Sequence, residues 1–246
     1  MLIKYETVCY ELLRPSQVKK IRKQCPIAYI VAGSLEWHSF QNPLGTDSLK
    51  AHSICCEAAL KYGGIVLPPF YQGLLGKNNW GPEGWEGYTL SFNEDDVFKN
   101  AIIGICKALI FSKWKVIVGV TGHDVKTQRD AMQEAIDIVT DEKTSSGFAV
   151  MEGELHKPDD NIPLSMDHAG AWETSCMMYA YSDKVDLNAL KERKLSSDED
   201  MKIKGPEGIG GKNPLKYASK EMGQKIIEKM GELIGKRALQ LLENLK

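Results

Sequence analysis

The stretch IAYIVAGSLEWH, residues 27–38, decides the fold and the chemistry of this chain. Its first six residues are apolar, which predicts a buried strand. The polar residues that follow lie at the carboxyl end of that strand, where open α/β sheets bind their ligands. Glu36 and His38 are two residues apart and point to the same side if the extended backbone continues. Asp47 follows at the start of the next helical segment.

Two interpretations of these three residues carry equal weight on spacing alone. A carboxylate, an imidazole and a second carboxylate that converge on one point form a site for zinc, manganese or iron. Alternatively, Glu36 is a solvated loop residue, His38 an ordinary loop histidine and Asp47 a helix cap. Thr46 or Asp47 is the expected N-cap of the helix, so backbone amides can hold the Asp47 carboxylate as well as a metal can.

Composition places the chain among ordinary globular proteins. With 246 residues, 43 % of them hydrophobic and 26 % charged, it is long enough for a substantial core, and we expect a single domain over residues 1–246. The net charge of −2, without a basic patch that contains aromatic residues, argues against a nucleic-acid partner. No apolar run approaches membrane-spanning length or follows a basic N-terminal segment, so we expect no membrane association and a cytoplasmic location.

The remaining cysteines and histidines suggest no further site. The six cysteines are scattered, mostly within apolar segments, and form no C-x-x-C pair. This spacing favours reduced, buried thiols over a thiolate metal site. His52 lies in a helical segment and His156 in a polar loop, so both are expected to be structural or solvated.

Strand-like and helix-like segments alternate along the chain, which is typical of an α/β protein. The third predicted strand delivers His123 to the same edge of the sheet as the first motif. Strands are predicted at residues 27–32, 65–67, 115–120 and 148–151, and helices at 15–24, 48–62, 97–111, 126–139 and 219–245, the last capped by Ser219.

Residues 70–92 form a long loop rich in glycine and aromatic residues. Long loops inside compact domains are usually functional or disordered, and the aromatic content argues against disorder. We interpret this loop as a lid, a pocket wall or an oligomer contact. A surface loop with local packing is the alternative.

A last pair of polar residues precedes the apolar run 176–181. His168 and Glu173 lie near the first turns of a predicted helix. A spacing of five residues separates two side chains by about 140° around a helix axis. Both residues therefore face one cavity only if His168 precedes the helix proper.

Together, these residues resemble the motifs of the creatininase (creatinine amidohydrolase) family. The resemblance covers most of the chain, from about residue 30 to residue 223. It implies a three-layer αβα fold with a mainly parallel central sheet, a homo-oligomer that is commonly a hexamer, and hydrolysis of amide C–N bonds at a mono- or dinuclear metal centre. The matching segments are Gly33-Ser34-x-Glu36-x-His38, Pro43-Leu44-Gly45-Thr46-Asp47, Pro68-Pro69-Phe70-Tyr71-Gln72-Gly73, Gly122-His123 and His168-Ala169-Gly170-x-x-Glu173-Thr174-Ser175.

The resemblance also implies roles for individual residues. Asp47 occupies the position of a carboxylate that bridges two metals, and His168 the position proposed for proton transfer to and from the substrate. Glu173 belongs to the same motif as His168, and we take it as a candidate catalytic residue and a candidate metal ligand. The metal-ligand positions of the family fall on Glu36, His38, Asp47 and His123.

Two departures from the family pattern bear on the second metal and on the substrate. In creatininase a glutamate two residues after the strand-end histidine binds the second metal, whereas this chain has Val125 there. Glu173 or Asp124 is then needed to complete the second site. Trp37 replaces the usual glutamine between the first two ligands, which argues against creatinine itself as the substrate.

The expected function is that of a metal-dependent amidohydrolase that cleaves the C–N bond of a small non-peptide amide, cyclic or linear, by metal-bound hydroxide. A divalent metal lowers the pKa of bound water to roughly 7, and a histidine such as His168 can protonate the leaving nitrogen. We expect Zn²⁺, with Mn²⁺ or Fe²⁺ as alternatives, at one or two ions per chain. Two alternatives stay open: a formamide or short-peptide hydrolase of the same family, and a non-catalytic binding or assembly protein that has lost the second metal.

Overall fold

A parallel four-stranded sheet organises the fold. The structure, a computed structural model, describes residues 2–75, 84, 87–92, 94–202 and 205–245. All strand pairings in this sheet are parallel, so its strands end at one common edge. The strands are β1 (Ile27–Ala32), β2 (Ile65–Val66), β3 (Val116–Thr121) and β4 (Ser146–Met151), in the spatial order β2-β1-β3-β4.

Helices cover both faces of the sheet. They are α1 (Pro15–Gln24), α2 (Thr46–Tyr62), α3 (Asp95–Phe111), α4 (Lys126–Val139), α5 (Ala171–Ala180), α6 (Leu187–Lys191), α7 (Pro214–Tyr217) and α8 (Lys220–Asn244). Helices α2, α5 and α8 pack on one face of the sheet, and α1, α3 and α4 pack on the other. The predicted three-layer αβα arrangement with a parallel central sheet is therefore confirmed. Within the described ranges, no helix is long and apolar enough to cross a membrane.

The smaller elements lie outside these layers. Three short 3₁₀-helices span Ile3–Thr7, Tyr10–Leu12 and Ser182–Lys184. A two-stranded antiparallel pair, β5 (Asp200–Met201) and β6 (Gly211–Lys212), follows α6. The residue just before β6, Gly210, forms an isolated bridge with His168, so this part of the chain reaches the start of α5.

Strand β1 shows why the sheet is covered on both sides. All six of its residues are buried. Ile27, Tyr29 and Val31 belong to the core with α2 and α8, whereas Ala28 and Ile30 belong to the core with α3 and α4. Successive side chains of a strand alternate between faces, so a strand buried on both faces is a continuous apolar run.

The predicted boundaries agree with the structure to within two residues, and one predicted cap is wrong. The Ser219 side chain accepts a hydrogen bond from the Met222 amide and caps α8, as predicted. At the start of α2, the N-cap is Gly45, which has no side chain to make the cap hydrogen bond. Thr46 and Asp47 are already helical, which leaves the Asp47 carboxylate available to its neighbours in the fold.

Part of the aromatic loop predicted at residues 70–92 packs against the first motif, residues 33–38. Leu90 forms an isolated antiparallel bridge with Leu35, and the Tyr88 ring lies 5.9 Å from the Trp37 ring. These contacts agree with a pocket wall. Trp80 and Trp85 lie outside the described residues, so the role of residues 70–92 as lid, wall or oligomer contact stays a prediction.

Candidate metal centre

The six predicted site residues meet at the carboxyl edge of the sheet. The ends of β1 and β3 and the starts of α2 and α5 position them. Five of the six are at most 6 % exposed, and the sixth, His168, has a side chain that is 16 % exposed. The residues brought together are Glu36, His38, Asp47, His123, His168 and Glu173.

Two glycines let α2 approach the strand ends closely. A Cβ atom at Gly33 would lie 2.3 Å from Ser48 Oγ, and one at Gly122 would lie 2.0 Å from the Asp47 carbonyl oxygen. No side chain can be accommodated at such distances, so these positions require glycine. The first turn of α2, which carries Asp47, therefore packs directly against the ends of β1 and β3.

The first group of converging donors consists of Glu36, Asp47 and His123. His123 Nδ1 lies 3.1 Å from Glu36 Oε1 and 3.1 Å from Asp47 Oδ2. Its other nitrogen, Nε2, lies 3.1 Å from the Leu74 carbonyl oxygen, so we assign the proton to Nε2, which donates to that carbonyl. In the neutral imidazole, Nδ1 then presents its lone pair to two carboxylate oxygens.

The second group consists of His38, Asp47 and Glu173. His38 Nε2 lies 3.0 Å from Asp47 Oδ1 and 3.2 Å from Glu173 Oε2. His38 Nδ1 lies 3.1 Å from the Glu36 carbonyl oxygen and donates to it. The Asp47 carboxylate thus belongs to both groups, since Oδ2 faces the first and Oδ1 faces the second.

The donors of both groups fit a divalent cation. Zinc binds nitrogen and carboxylate ligands at about 2.0–2.2 Å, which places neighbouring ligand atoms about 3.0–3.5 Å apart. Each histidine nitrogen lies 3.0–3.2 Å from the two carboxylate oxygens of its own group. A ligating histidine commonly donates its second N–H to a carbonyl, as both histidines do here. Each group could therefore hold a metal ion, and Glu36, His38 and His168 form a third, overlapping group.

The surrounding carboxylates also favour protonated histidines, so protons and cations compete for the same nitrogens. Burial lowers the pKa of His38, but the charges of Glu173 and Asp47 outweigh it and raise that pKa well above its usual value. At His123, burial is likewise outweighed by the Glu36 charge and the hydrogen bond with Asp47, which raise the pKa to about 10.

His168 lies at the edge of the cluster and precedes α5. This is the condition under which His168 and Glu173 can face the same cavity. Its Nδ1 lies 3.6 Å from Glu36 Oε1, and its Nε2 is buried without a hydrogen-bond partner in the described part of the chain. Its backbone exchanges two hydrogen bonds with Gly210, of 2.9 and 2.8 Å. Burial, and then the charge of His38, lower the pKa of His168, which favours the neutral imidazole.

A tight turn fixes His168 and Glu173 relative to each other. Ala169, between them, adopts a left-handed φ of 54°, which is uncommon for a residue other than glycine and is often found at functional sites. The Ala169 amide donates to Glu173 Oε2 at 2.6 Å. Asp167 accepts hydrogen bonds from the amides of Trp172 (2.9 Å) and Glu173 (3.3 Å) and so caps the start of α5.

Lys50, which the sequence reasoning missed, compensates the charge behind the second group. It is fully buried, and its Nζ donates to the Glu173 carboxylate and to the Gly122 carbonyl (2.8 Å) and lies 3.0 Å from Glu152 Oε1. Burial lowers the pKa of Lys50, but the charges of Glu152, Glu173 and Asp47 raise it well above its usual value. Burial raises the pKa of Glu173, but the charges of Lys50 and His38 and the hydrogen bond with His38 together outweigh it and lower the pKa to about 2.

Two signals in the sequence point to this network. Lys50 lies three residues after Asp47 and four before Ile54, so it is a charged residue on the buried face of α2. Glu152 follows β4 directly, at the edge of the sheet that holds the other site residues. Asp124, the predicted alternative to Glu173, is exposed and belongs to none of the described metal-binding groups. The structure thus brings Glu173, and not Asp124, to the second group.

Fold and cluster together define a class: a three-layer α/β protein whose sheet edge carries carboxylates and histidines suited to a divalent metal. The family model for creatininase, described as creatinine amidohydrolase, matches residues 11–237. The chain belongs to the creatininase family, whose members are metal-dependent amidohydrolases. The family membership inferred from the motifs is confirmed.

Solved structures show the same fold. A crystal structure of creatinine amidohydrolase (creatininase) has a TM-score of 0.76 at 21 % identity and covers 95 % of this chain and 97 % of its own. A manganese creatininase has a TM-score of 0.75 at 20 % identity, with coverages of 94 % and 96 %. A mutant creatininase of the Zn-Zn type has a TM-score of 0.74 at 20 % identity, with coverages of 93 % and 96 %. No curated protein sequence is significantly similar to this chain.

Proposed function

We propose that this protein is a metal-dependent amidohydrolase that cleaves the C–N bond of a small non-peptide amide, cyclic or linear, at a centre with two metal positions. One observation carries the proposal. Two buried histidines each tie one ring nitrogen to a backbone carbonyl and direct the other at two carboxylate oxygens. Membership of the creatininase family supports the class of reaction.

The proposed ligands divide into two sets that share Asp47. Glu36, Asp47 and His123 would hold one cation, and His38, Asp47 and Glu173 the other. Glu173 would then replace the glutamate that is missing at Val125, so the second ligand set is completed from α5. The mixed nitrogen and oxygen ligands suit Zn²⁺, with Mn²⁺ and Fe²⁺ as alternatives.

His168 is the proposed proton-transfer residue. A divalent cation at the centre would polarise the amide carbonyl and lower the pKa of a bound water to roughly 7. Nε2 of the neutral His168 imidazole is buried and has no hydrogen-bond partner among the described residues, so it can accept a proton and return it to the leaving nitrogen. Glu36, 3.6 Å from Nδ1, stabilises the imidazolium that forms in between.

A panel of amides tests the reaction class. The protein is stripped of metal, reloaded with Zn²⁺, Mn²⁺ or Fe²⁺, and incubated with creatinine, a hydantoin, a lactam, an N-formyl compound and a dipeptide. We expect metal-dependent hydrolysis of at least one of the three cyclic amides, measured by mass spectrometry. Turnover of the N-formyl compound or dipeptide alone would favour the related hydrolase. Inactivity of the fully loaded protein towards the whole panel would favour a non-catalytic binding protein.

We expect His168→Gln to keep its metals and lose turnover. Glutamine keeps a polar side chain but cannot transfer the proton, and general acid–base catalysis typically contributes about 10²–10⁴-fold. Metal analysis and kcat are measured on the same preparation. His156→Gln is the matched control, because the His156 ring lies against the Ile162 carbonyl and the Trp172 ring, outside both groups of donors, and this variant should retain both properties. Loss of metal in His168→Gln would make His168 a ligand instead.

Metal affinity should fall as the pH falls. Because the pKa of His123 is raised to about 10, this residue is protonated at neutral pH unless a cation displaces the proton. Apparent affinity should therefore rise about tenfold per pH unit for each proton displaced. Calorimetric titration with Zn²⁺ between about pH 6 and about pH 8, in buffers of different ionisation enthalpy, measures the protons released. An affinity independent of pH would contradict ligation by these histidines.

A further inference from the structure

A second cluster of metal-binding side chains lies in the core between the N-terminal segment and α2. Cys9 and Cys56 are fully buried and His52 is 2 % exposed. Cys9 precedes the 3₁₀-helix Tyr10–Leu12 and forms an isolated bridge with Val66 beside the sheet. His52 and Cys56 are four residues apart on α2, a spacing that places both on one face of the helix.

The donor atoms of this cluster form a nearly equilateral triangle. Cys9 Sγ lies 3.8 Å from Cys56 Sγ and 3.9 Å from His52 Nε2, and Cys56 Sγ lies 3.8 Å from the same nitrogen. Tetrahedral zinc, with Zn–S bonds of about 2.3 Å and Zn–N bonds of about 2.0–2.1 Å, separates such ligand atoms by about 3.5–3.8 Å. The three atoms thus have nearly the mutual spacing of one face of a zinc-centred tetrahedron. Because Cys56 Sγ also lies 3.7 Å from His52 Nδ1, the His52 ring must turn to direct the lone pair of Nε2 at the shared position.

We propose that Cys9, His52 and Cys56 form a thiolate zinc site that ties the N-terminal segment to α2. Binding releases the two thiol protons to solvent, and the two thiolates with a neutral imidazole balance a divalent cation. The site is then electrically neutral, which a buried position favours. Thiolate ligands also select zinc over manganese, and three protein ligands leave the fourth position for a water molecule.

The position of this site gives it a structural role. It lies on the same helix as Asp47, so zinc here anchors the helix that carries the shared carboxylate of the other centre. The cysteine spacing could not reveal it, because 46 residues separate Cys9 from its helical partner at position 56 and only the fold brings them together. The expectation that the cysteines form no thiolate site rested on that spacing.

Cobalt absorption spectroscopy tests the site in the full-length protein. The metal-stripped, reduced wild-type protein titrated with Co²⁺ should show intense thiolate-to-cobalt charge-transfer absorption in the near ultraviolet. The other proposed centre, formed by Glu36, His38, Asp47, His123 and Glu173 and called the carboxylate–histidine centre below, contains no cysteine and cannot produce this absorption. We expect Cys9→Ser and Cys56→Ser to lose the band. Cys55→Ser should keep it, because Cys55 is an equally buried neighbour that lies outside the cluster.

The two proposed centres can fail independently in this experiment. Asp47→Asn disables the carboxylate–histidine centre and should leave the thiolate band intact. Isolated wild-type protein should contain one more zinc per chain than Cys56→Ser. A wild-type cobalt spectrum without thiolate charge transfer, or equal zinc contents, would overturn the proposal. An intact mass two hydrogen atoms below that of the reduced chain would also overturn it, because Cys9 and Cys56 would then form a disulfide.

Discussion

Replacing Asp47 with asparagine should remove metal from both positions of the carboxylate–histidine centre and reduce hydrolysis to the level of the metal-free protein. Each oxygen of Asp47 faces a different histidine, His38 at 3.0 Å and His123 at 3.1 Å. Asparagine presents one oxygen and one NH₂ group, so at least one position loses its ligand, and both lose the negative charge. Since changes to residues behind the ligands already reduce metal affinity about 10–100-fold, loss of a shared ligand should reduce it further.

Asp124→Asn is the matched control for this variant. Asp124 is adjacent to His123 in sequence, but it is exposed and lies outside both groups of donors. We expect it to retain both metals and full activity. Elemental analysis and amide hydrolysis are measured on both variants. Two metals retained in Asp47→Asn would refute the shared carboxylate, and loss of one metal in Asp124→Asn would return Asp124 to the ligand set.

Replacing Lys50 with methionine should destabilise the protein by about 3–5 kcal/mol at neutral pH, the usual result of removing one partner from a buried ion pair. Methionine has a similar length but no charge, so the carboxylates of Glu152 and Glu173 would be left buried without their cation. The pKa of Glu173, which Lys50 and His38 together lower to about 2, should rise when the charge of Lys50 is removed. Binding at the second metal position should weaken in parallel.

The pH dependence of this effect has a definite sign. In Lys50→Met the buried carboxylates have raised pKa values, so their protonation restores stability as the pH falls, and the difference from wild type shrinks. Urea unfolding with a chelator present, at neutral and at acidic pH, measures this change. Lys61→Met is the control, because Lys61 is exposed on the same helix and should shift stability by no more than about 0.5 kcal/mol.

A double variant distinguishes lost charge from lost packing. Adding Glu152→Gln to Lys50→Met removes one of the two uncompensated carboxylates and should recover part of the lost stability. No recovery would show that Lys50 acts through packing. Wild-type stability in Lys50→Met would refute the charge compensation altogether.

Sequence patterns predict the structure correctly where a local rule and the packing of the fold favour the same arrangement. Strand β1 is buried on both faces, so its continuous apolar run predicted it directly, and parallel strands placed Glu36, His38 and His123 at one edge. The cap rule failed at Asp47. Gly45 is the N-cap of α2. The Asp47 side chain instead contacts His38, which follows β1, and His123, which follows β3.

Other features depend on contacts that no local pattern encodes. The choice between Glu173 and Asp124 required the direction of each side chain, and the Ala169 turn decides it by holding Glu173 towards His38. The pairing of Lys50 with Glu173 spans 123 residues. Composition and periodicity predict the layers of this fold. Contacts between residues far apart in the sequence form only when the layers pack against each other.

The turn before α5 connects the proposed ligand Glu173 to the proposed proton-transfer residue His168. The Ala169 amide donates to the same Glu173 oxygen that lies 3.2 Å from His38, so one hydrogen bond connects the second group to the backbone next to His168. Any coupling of binding free energies through this connection is reciprocal by thermodynamic linkage. If a cation at the second group alters substrate affinity by some factor through His168, bound substrate must alter the affinity for that cation by the same factor.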